Sequence, residues 1–384
     1  MNFEFATATR IIFGSNTFTQ AGSLAAEMGN CVLAVTGSPS ERSNRLIEIL
    51  AGSGVESYQF IVKGEPTVDV IDNGTNIVRT RGCDVVVALG GGSVIDVGKA
   101  IAVMANNPGE LYDYVEVVGK GMKLTHPSLP FIAIPTTAGT GSEVTRNAVI
   151  CSPAHGFKVS LRSATMLPRI ALVDPDLTLS LPAQVSASTG MDALAQLIEP
   201  YTSKSPNPMV DPISLEGIRK ISDSILRVYR DGSDRDSRTN MMLASLFSGI
   251  SLANAPLGAV HGFAAPIGGM FSAPHGVVCA RLLPIVMEAN IKALENGRGD
   301  RSRLDRYDEI AEELTHIRNA KAMSGVEWVY RIREELNIAP LGEYGLTDQH
   351  IPILVDKASR ASSMKGNPVQ LTAEELTSIL LHAI

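Results

Sequence analysis

The chain has 384 residues, more than one compact core usually holds, so two domains are the expectation. Hydrophobic residues make up 45% and charged residues 19%, a balance that excludes a disordered protein. The formal net charge is −7 with no run rich in Lys and Arg, which argues against a nucleic-acid partner, and no apolar stretch reaches the roughly 20 residues of a membrane span. The opening Met1-Asn2-Phe3-Glu4-Phe5 carries neither a basic nor an apolar leader segment. Cys31, Cys83, Cys151 and Cys279 lie scattered inside apolar segments without paired spacing. They read as reduced core residues of a cytoplasmic protein, none placed like a nucleophile.

The first half alternates short β-branched runs with amphipathic ones. Strands are predicted over 31–36, 55–62, 84–89 and 131–135, with helices over 42–52, 68–81 and 94–105 between them. A hairpin-like stretch follows at 144–161, then a strand at 170–173 ending in Asp174-Pro175. This rhythm implies a parallel, Rossmann-like sheet covered by helices. Beyond about Pro182 the texture becomes helical, with helices predicted over 189–201, 209–229, 238–254, 277–295, 303–314, 321–336 and 373–384. The expected organisation is an α/β dinucleotide-binding domain over 1–180 and an all-α domain over 181–384, with the cleft between them as the default site.

Three stretches carry chemistry. Leu89-Gly90-Gly91-Gly92-Ser93-Val94-Ile95-Asp96 leaves the strongest strand and opens a helix. Glycines there let the backbone approach a pyrophosphate, and the helix N-terminus offers free N–H groups. The spacing is not G-x-G-x-x-G, and a tight strand-to-helix turn with Asp96 as a first-turn acid is the plainer alternative. A second loop, Pro135 to Glu143, crowds hydroxyls and glycines after the next strand; two such loops at successive strand ends favour a dinucleotide. On the predicted helix over 189–201, Asp192, Gln196 and Glu199 share one face of an otherwise apolar helix. His261 and His275, two of seven histidines, lie fourteen residues apart in an apolar stretch rich in Gly and Pro. Two imidazoles and a carboxylate suit Fe²⁺ or Zn²⁺ with a position open for a substrate oxygen.

Taken with a C-terminal Gly366-Asn367-Pro368, these segments occur in the order found in the iron-containing (group III) alcohol dehydrogenases, which the chain resembles over most of its length. That family shares a dehydroquinate synthase-like fold. The resemblance implies NAD(P)-dependent reduction of an aldehyde or ketone, with a divalent metal polarising the carbonyl. By position it assigns Gly91, Gly92, Ser93 and Asp96 to the pyrophosphate and part of the nicotinamide end. Thr136, Thr137 and Ser142 would line the cofactor cleft, and Lys158 would lie near the nicotinamide ribose. The metal ligands map to Asp192, His261 and His275 with a fourth at Gln196, and His275 is a candidate proton donor. A homodimer or larger assembly is implied as well.

Two departures stand out. Gln196 occupies a position where iron-dependent members carry His, and Ala265 stands where a further His is frequent. Either three strong ligands hold the metal with Gln196 as a weak fourth, or the metal is lost and His261 or His275 supplies the proton. Retention is favoured, because loss would leave Asp192 short of a partner. Gly37, at the end of the first predicted strand, replaces the acid that binds the ribose 2′-hydroxyl in NAD-specific members. Ser38, Ser40 and Arg42 are close in sequence, so NADP(H) is favoured over NAD(H). A lyase or cyclase on the same fold would hold a phosphorylated substrate with basic groups, which 190–200 and 260–274 lack. A dinucleotide-binding protein with a decayed metal site is the third reading. The residues between Phe263 and Phe271 are mostly apolar, which suits small or hydrophobic aldehydes.

Overall fold

A computed structural model describes residues 2–115, 119–152 and 157–384, the side chains of 152, 157 and 158 excepted. The chain forms two compact units. One comprises Thr7–Thr137 and Gly141–Leu179; the other holds the residues up to Ala6, the short segment Ala138–Thr140, and Ser180–Ile384.

The first unit carries strands β1 (Arg10–Phe13), β2 (Cys31–Thr36), β3 (Glu56–Ile61), β4 (Val85–Gly90), β5 (Phe131–Pro135), β6 (Asn147–Ser152), β7 (Phe157–Arg162) and β8 (Ile170–Val173). Its helices are α1 (Ala21–Ala26), α2 (Glu41–Gly52), α3 (Val68–Arg81), α4 (Gly92–Asn106) and α5 (Leu111–Tyr114). Among the described residues a six-stranded sheet runs in the order β1-β8-β5-β4-β2-β3, every pair parallel. The central strands β2, β4, β5 and β8 are buried at every position, which is why they read as continuous apolar runs. Alternate residues still part to opposite faces. Leu33, Val35, Val86 and Ala133 pack with Ile71 of α3 and Ile101 of α4, while Val32, Ala34, Val87 and Ile132 pack with Leu24 of α1 and Leu46 of α2. The stretch expected as a hairpin is an antiparallel pair, β6 against β7, with Asn147 opposite Arg162.

The second unit is helical: α6 (Ala183–Thr202), α7 (Asp211–Arg230), α8 (Arg235–Asn254), α9 (Ala259–Met270), α10 (His275–Glu295), α11 (Ser302–Thr315), α12 (Ala322–Glu335), α13 (Ile351–Arg360) and α14 (Ala373–Ala383). Every residue of α6 from Gly190 to Thr202 is buried, as an almost wholly apolar helix must be. Among the described residues no single helix is long and apolar enough to cross a membrane. Sequence pattern missed α9, because Gly262, Pro266, Gly268 and Gly269 look like loop chemistry. Burial of Val260, Phe263, Ala264 and Ile267 along one face outweighs their low propensity.

Behind the glycine-rich turn, α4 is braced by a buried polar group. Lys99 is fully buried; its Nζ donates to Thr145 Oγ1 (2.8 Å) and the Asn147 carbonyl (2.7 Å), and stands 3.4 Å from Asp96 Oδ1. Asp96 in turn accepts from the Ser142 hydroxyl and the Val149 N–H, so its carboxylate ties α4 to the second loop and to β6. Glu143 is buried beside this group with Oε1 lacking a hydrogen bond. Burial pushes its carboxyl up to about 7, against the pull of Lys99.

The folded protein therefore holds the Glu143 proton while the unfolded chain, near 4.5, releases it, so this group makes stability fall as pH rises from about 4.5 through about 7. Glu143→Gln should remove that slope. In thermal or urea unfolding, the variant should gain on the wild type by up to about 3 kcal/mol across this window, on top of any pH-independent offset. A difference that stays flat between pH 4.5 and 8 would show that the carboxyl is not held protonated.

Candidate active site

The two loops singled out in the first unit lie at the carboxyl ends of neighbouring strands β4 and β5. Gly90 turns the chain so tightly that a Cβ there would lie 2.6 Å from Val94. Gly91 is the N-cap of α4 and offers no side chain to satisfy the helix terminus, which leaves the first N–H groups of α4 for an anion. Gly91 packs on Thr137, Thr136 N–H donates to the Gly90 carbonyl (3.0 Å), and Ser93, Thr136 and Thr137 are partly exposed. Ser142 is buried on Asp96. Asp96 Oδ1 accepts from the Ser142 hydroxyl and Oδ2 from the Val149 N–H, which ties the second loop to α4. Lys158 lies on β7 opposite Cys151, and its side chain falls outside the described residues.

After β2, Gly37 is partly exposed and Ser38 exposed. A Cβ at Gly37 would meet only Val94, at an ordinary 3.9 Å, so an acid would fit there and is simply not present. Ser40 caps α2 with Ser43, while the Arg42 guanidinium donates to the Leu177 carbonyl.

In the helical unit, α6, α9 and α10 bring Asp192, His261 and His275 together, and with them Cys279. One donor atom from each of the four lies within 4.8 Å of the others. Asp192 Oδ1 is 3.4 Å from His261 Nε2 and 3.6 Å from His275 Nε2; Cys279 Sγ is 3.9 Å and 3.6 Å from the same two nitrogens. Asp192, His261 and Cys279 are buried, whereas the His275 side chain is 42% exposed. Asp192 Oδ1 makes no hydrogen bond of ordinary geometry. Tetrahedral bonds of 2.0–2.3 Å put donor atoms about 3.3–3.8 Å apart, so both the spacing and the orphaned oxygen fit a divalent cation.

The carboxylate of Glu199, two turns beyond Asp192 on the same face of α6, orients this cluster. Its Oε2 accepts from His261 Nδ1 at 2.6 Å, which points Nε2 inward, and its Oε1 accepts from the Val260 N–H at 2.7 Å. Gly258 permits the approach, since a Cβ there would sit 2.9 Å from Glu199 Oε1 and from Asn367 Oδ1. Asn367 Oδ1 takes the Ala259 N–H at the start of α9 and is held by Asn290, which gives the Gly366-Asn367-Pro368 segment its structural reason. Burial alone would lower the His261 imidazole. Its neighbours Cys279, Glu199 and Asp192 instead hold it well above the usual histidine range. Burial would raise Asp192, yet His275 and His261 pull it below the usual carboxylate range. Burial and the Asp192 charge push the Cys279 thiol up to about 12.

Gln196 is buried one turn after Asp192, with Oε1 3.0 Å from Ser248 Oγ. That hydroxyl also reaches the carbonyls of Ser245 (2.8 Å) and Gly139 (3.3 Å). One end of the amide is committed to Ser248 whichever way it is turned.

Sequence pattern treated Cys279 as core filling because the four cysteines lie in apolar segments without paired spacing, and it started this helix at 277. The helix starts at His275, so Cys279 follows it by one turn on the same face. Lys99 and Ser248 were missed as well, and Asn367 was noted only as part of a motif; the role of each appears only when distant segments meet.

A parallel sheet with a glycine-capped helix start and a helical unit that gathers nitrogen, oxygen and sulfur donors match the two halves of one family of enzymes. Residues 8–175 match the family model described as iron-containing alcohol dehydrogenase, and residues 186–384 its C-terminal model. Alcohol dehydrogenase 4 of Saccharomyces cerevisiae is 35% identical over 319 residues, 83% of this chain and 80% of that protein. The crystal structure of a 1,3-propanediol oxidoreductase superposes with a TM-score of 0.92 at 30% identity over all of both chains. Sulfoacetaldehyde reductase from Bifidobacterium kashiwanohense in complex with NAD⁺ superposes with a TM-score of 0.88 at 27% identity, covering 100% of this chain and 99% of that one. The chain belongs to the iron-containing alcohol dehydrogenase family and is an oxidoreductase of that class.

Glu199→Gln should weaken metal binding by about 10- to 100-fold in a chelator competition, because an amide oxygen cannot accept from both His261 and Val260. Affinity equal to the wild type would reduce Glu199 to a brace for α9.

Proposed function

We propose that the protein reduces small aldehydes, and oxidises the matching alcohols, with NADP(H) and a divalent metal held by Asp192, His261 and His275. One observation carries the metal: Asp192 Oδ1 is buried without a hydrogen bond, facing two imidazole nitrogens. When bound, a divalent cation supplies Lewis acidity toward a carbonyl oxygen. Glu199 fixes the His261 tautomer that serves it. His275 is the exposed member of the cluster, so a carbonyl approaches from its side. The free N–H groups at the start of α4 take the cofactor pyrophosphate, with Gly91 and Gly92 allowing close approach and Ser93 adding a hydroxyl. Preference for the 2′-phosphate rests on Gly37, where no carboxylate repels it although there is room for one.

Steady-state assays on short aldehydes should give a higher kcat/KM with NADPH than with NADH. Gly37→Asp should move that ratio toward NADH by at least about tenfold, or ~1.4 kcal/mol. Asp192→Asn should lose stoichiometric metal and cut turnover by at least about 100-fold while retaining the helical circular dichroism of the wild type. Full activity in protein stripped of metal would overturn the metal part of this reading, and an unchanged ratio in Gly37→Asp the cofactor part.

A further inference from the structure

We propose that Cys279 is a ligand of the metal, its thiolate completing the donor set with Asp192, His261 and His275. The inference rests on the metal reading above and goes beyond it by naming a sulfur donor. Cys279 Sγ stands 3.6 Å from His275 Nε2 and 3.9 Å from His261 Nε2, where the Asp192 oxygen stands 3.6 Å and 3.4 Å from the same nitrogens. One donor atom from each of the four lies within 4.8 Å of the others, close enough to share one cation. His275 and Cys279 are one turn apart on α10, so a single rigid helix presents both, while α6 and α9 supply the other two. A thiol serving only to fill the core would not need to face a buried carboxylate oxygen that has no hydrogen bond.

Gln196, the alternative fourth donor, is a neutral amide committed at one end to Ser248. A thiolate is a much stronger donor, and it favours zinc among the divalent ions these residues could hold. On binding, the Cys279 S–H bond breaks and a sulfur–metal bond forms. The electron pair stays with sulfur, and the proton leaves to water on the exposed side of His275.

Zinc reconstitution of the stripped full-length protein tests this. X-ray absorption at the zinc edge should show one sulfur at about 2.3 Å among nitrogen and oxygen neighbours. Cobalt(II) in place of zinc should give a near-ultraviolet thiolate-to-metal band. Cys279→Ser should retain the fold, lose the sulfur shell and lose that band, whereas Gln196→Ala should keep both. Cys31 and Cys83, with sulfurs 3.4 Å apart, are a second thiol pair that could take up metal. A Cys31→Ser/Cys83→Ser double variant should therefore leave the signal intact. Stoichiometric metal with a shell of nitrogen and oxygen alone in the wild type would overturn the cysteine ligand and leave the metal reading standing. So would a sulfur signal that survives Cys279→Ser. Failure of the wild type to take up zinc or cobalt at all would overturn both. The wild-type spectrum decides even if the serine variant does not fold.

Discussion

Sinking a carboxylate into the middle of an apolar helix is costly, and the helical unit is organised around that cost. Asp192 is 1% exposed, with Met191, Ala193, Leu194 and Ala195 wholly buried around it. An ionised carboxylate in such surroundings persists only beside compensating positive charge. Two imidazole nitrogens face it, able to share a cation with it, and each is brought there by its own helix start. Asn367 holds the start of α9 and Glu199 locks the His261 ring, while α10 opens on His275 itself. Remove the carboxylate and little reason remains for these helix termini, rich in glycine and proline, to converge.

The sheet unit solves the opposite problem. It leaves a helix terminus unsatisfied, since the N-cap of α4 is a glycine with no side chain to offer. The compensation lies behind the loop. Asp96 and the fully buried Lys99 bind Ser142, Thr145, Asn147 and Val149, so the backbone presented to an anion is stiffened from below. The Asp96 carboxylate, beyond the first turn of α4, thus supports the loop mechanically while leaving the helix start itself open.

Much of this was legible in sequence because two kinds of signal are local. Strands buried on both faces write themselves as β-branched runs, and β2, β4 and β5 fell where those runs are. The glycine loops and the pairing of Asp192 with two histidines are likewise written in short motifs. What escaped was whatever depends on where a helix begins or on what lies across from it. Starting α10 two residues late hid the register of Cys279 with His275. The glycines and Pro266 hid α9, whose stability comes from a buried face and not from propensity. Gln196 was recognised as anomalous, but its bond to Ser248 links residues 52 positions apart and leaves no trace in pattern.

The placing of His275 at the first position of α10 would also govern how fast an ion held there exchanges. Asp192 sits inside a long buried helix, and His261, although in the first turn of α9, is buried too. His275 is half-exposed on a terminal turn, the part of a helix that opens at the smallest free energy. Its imidazole would be the last donor to close on an arriving ion and the first to let go. Loading and loss would then follow the opening of one helical turn, on a timescale separate from that of global unfolding.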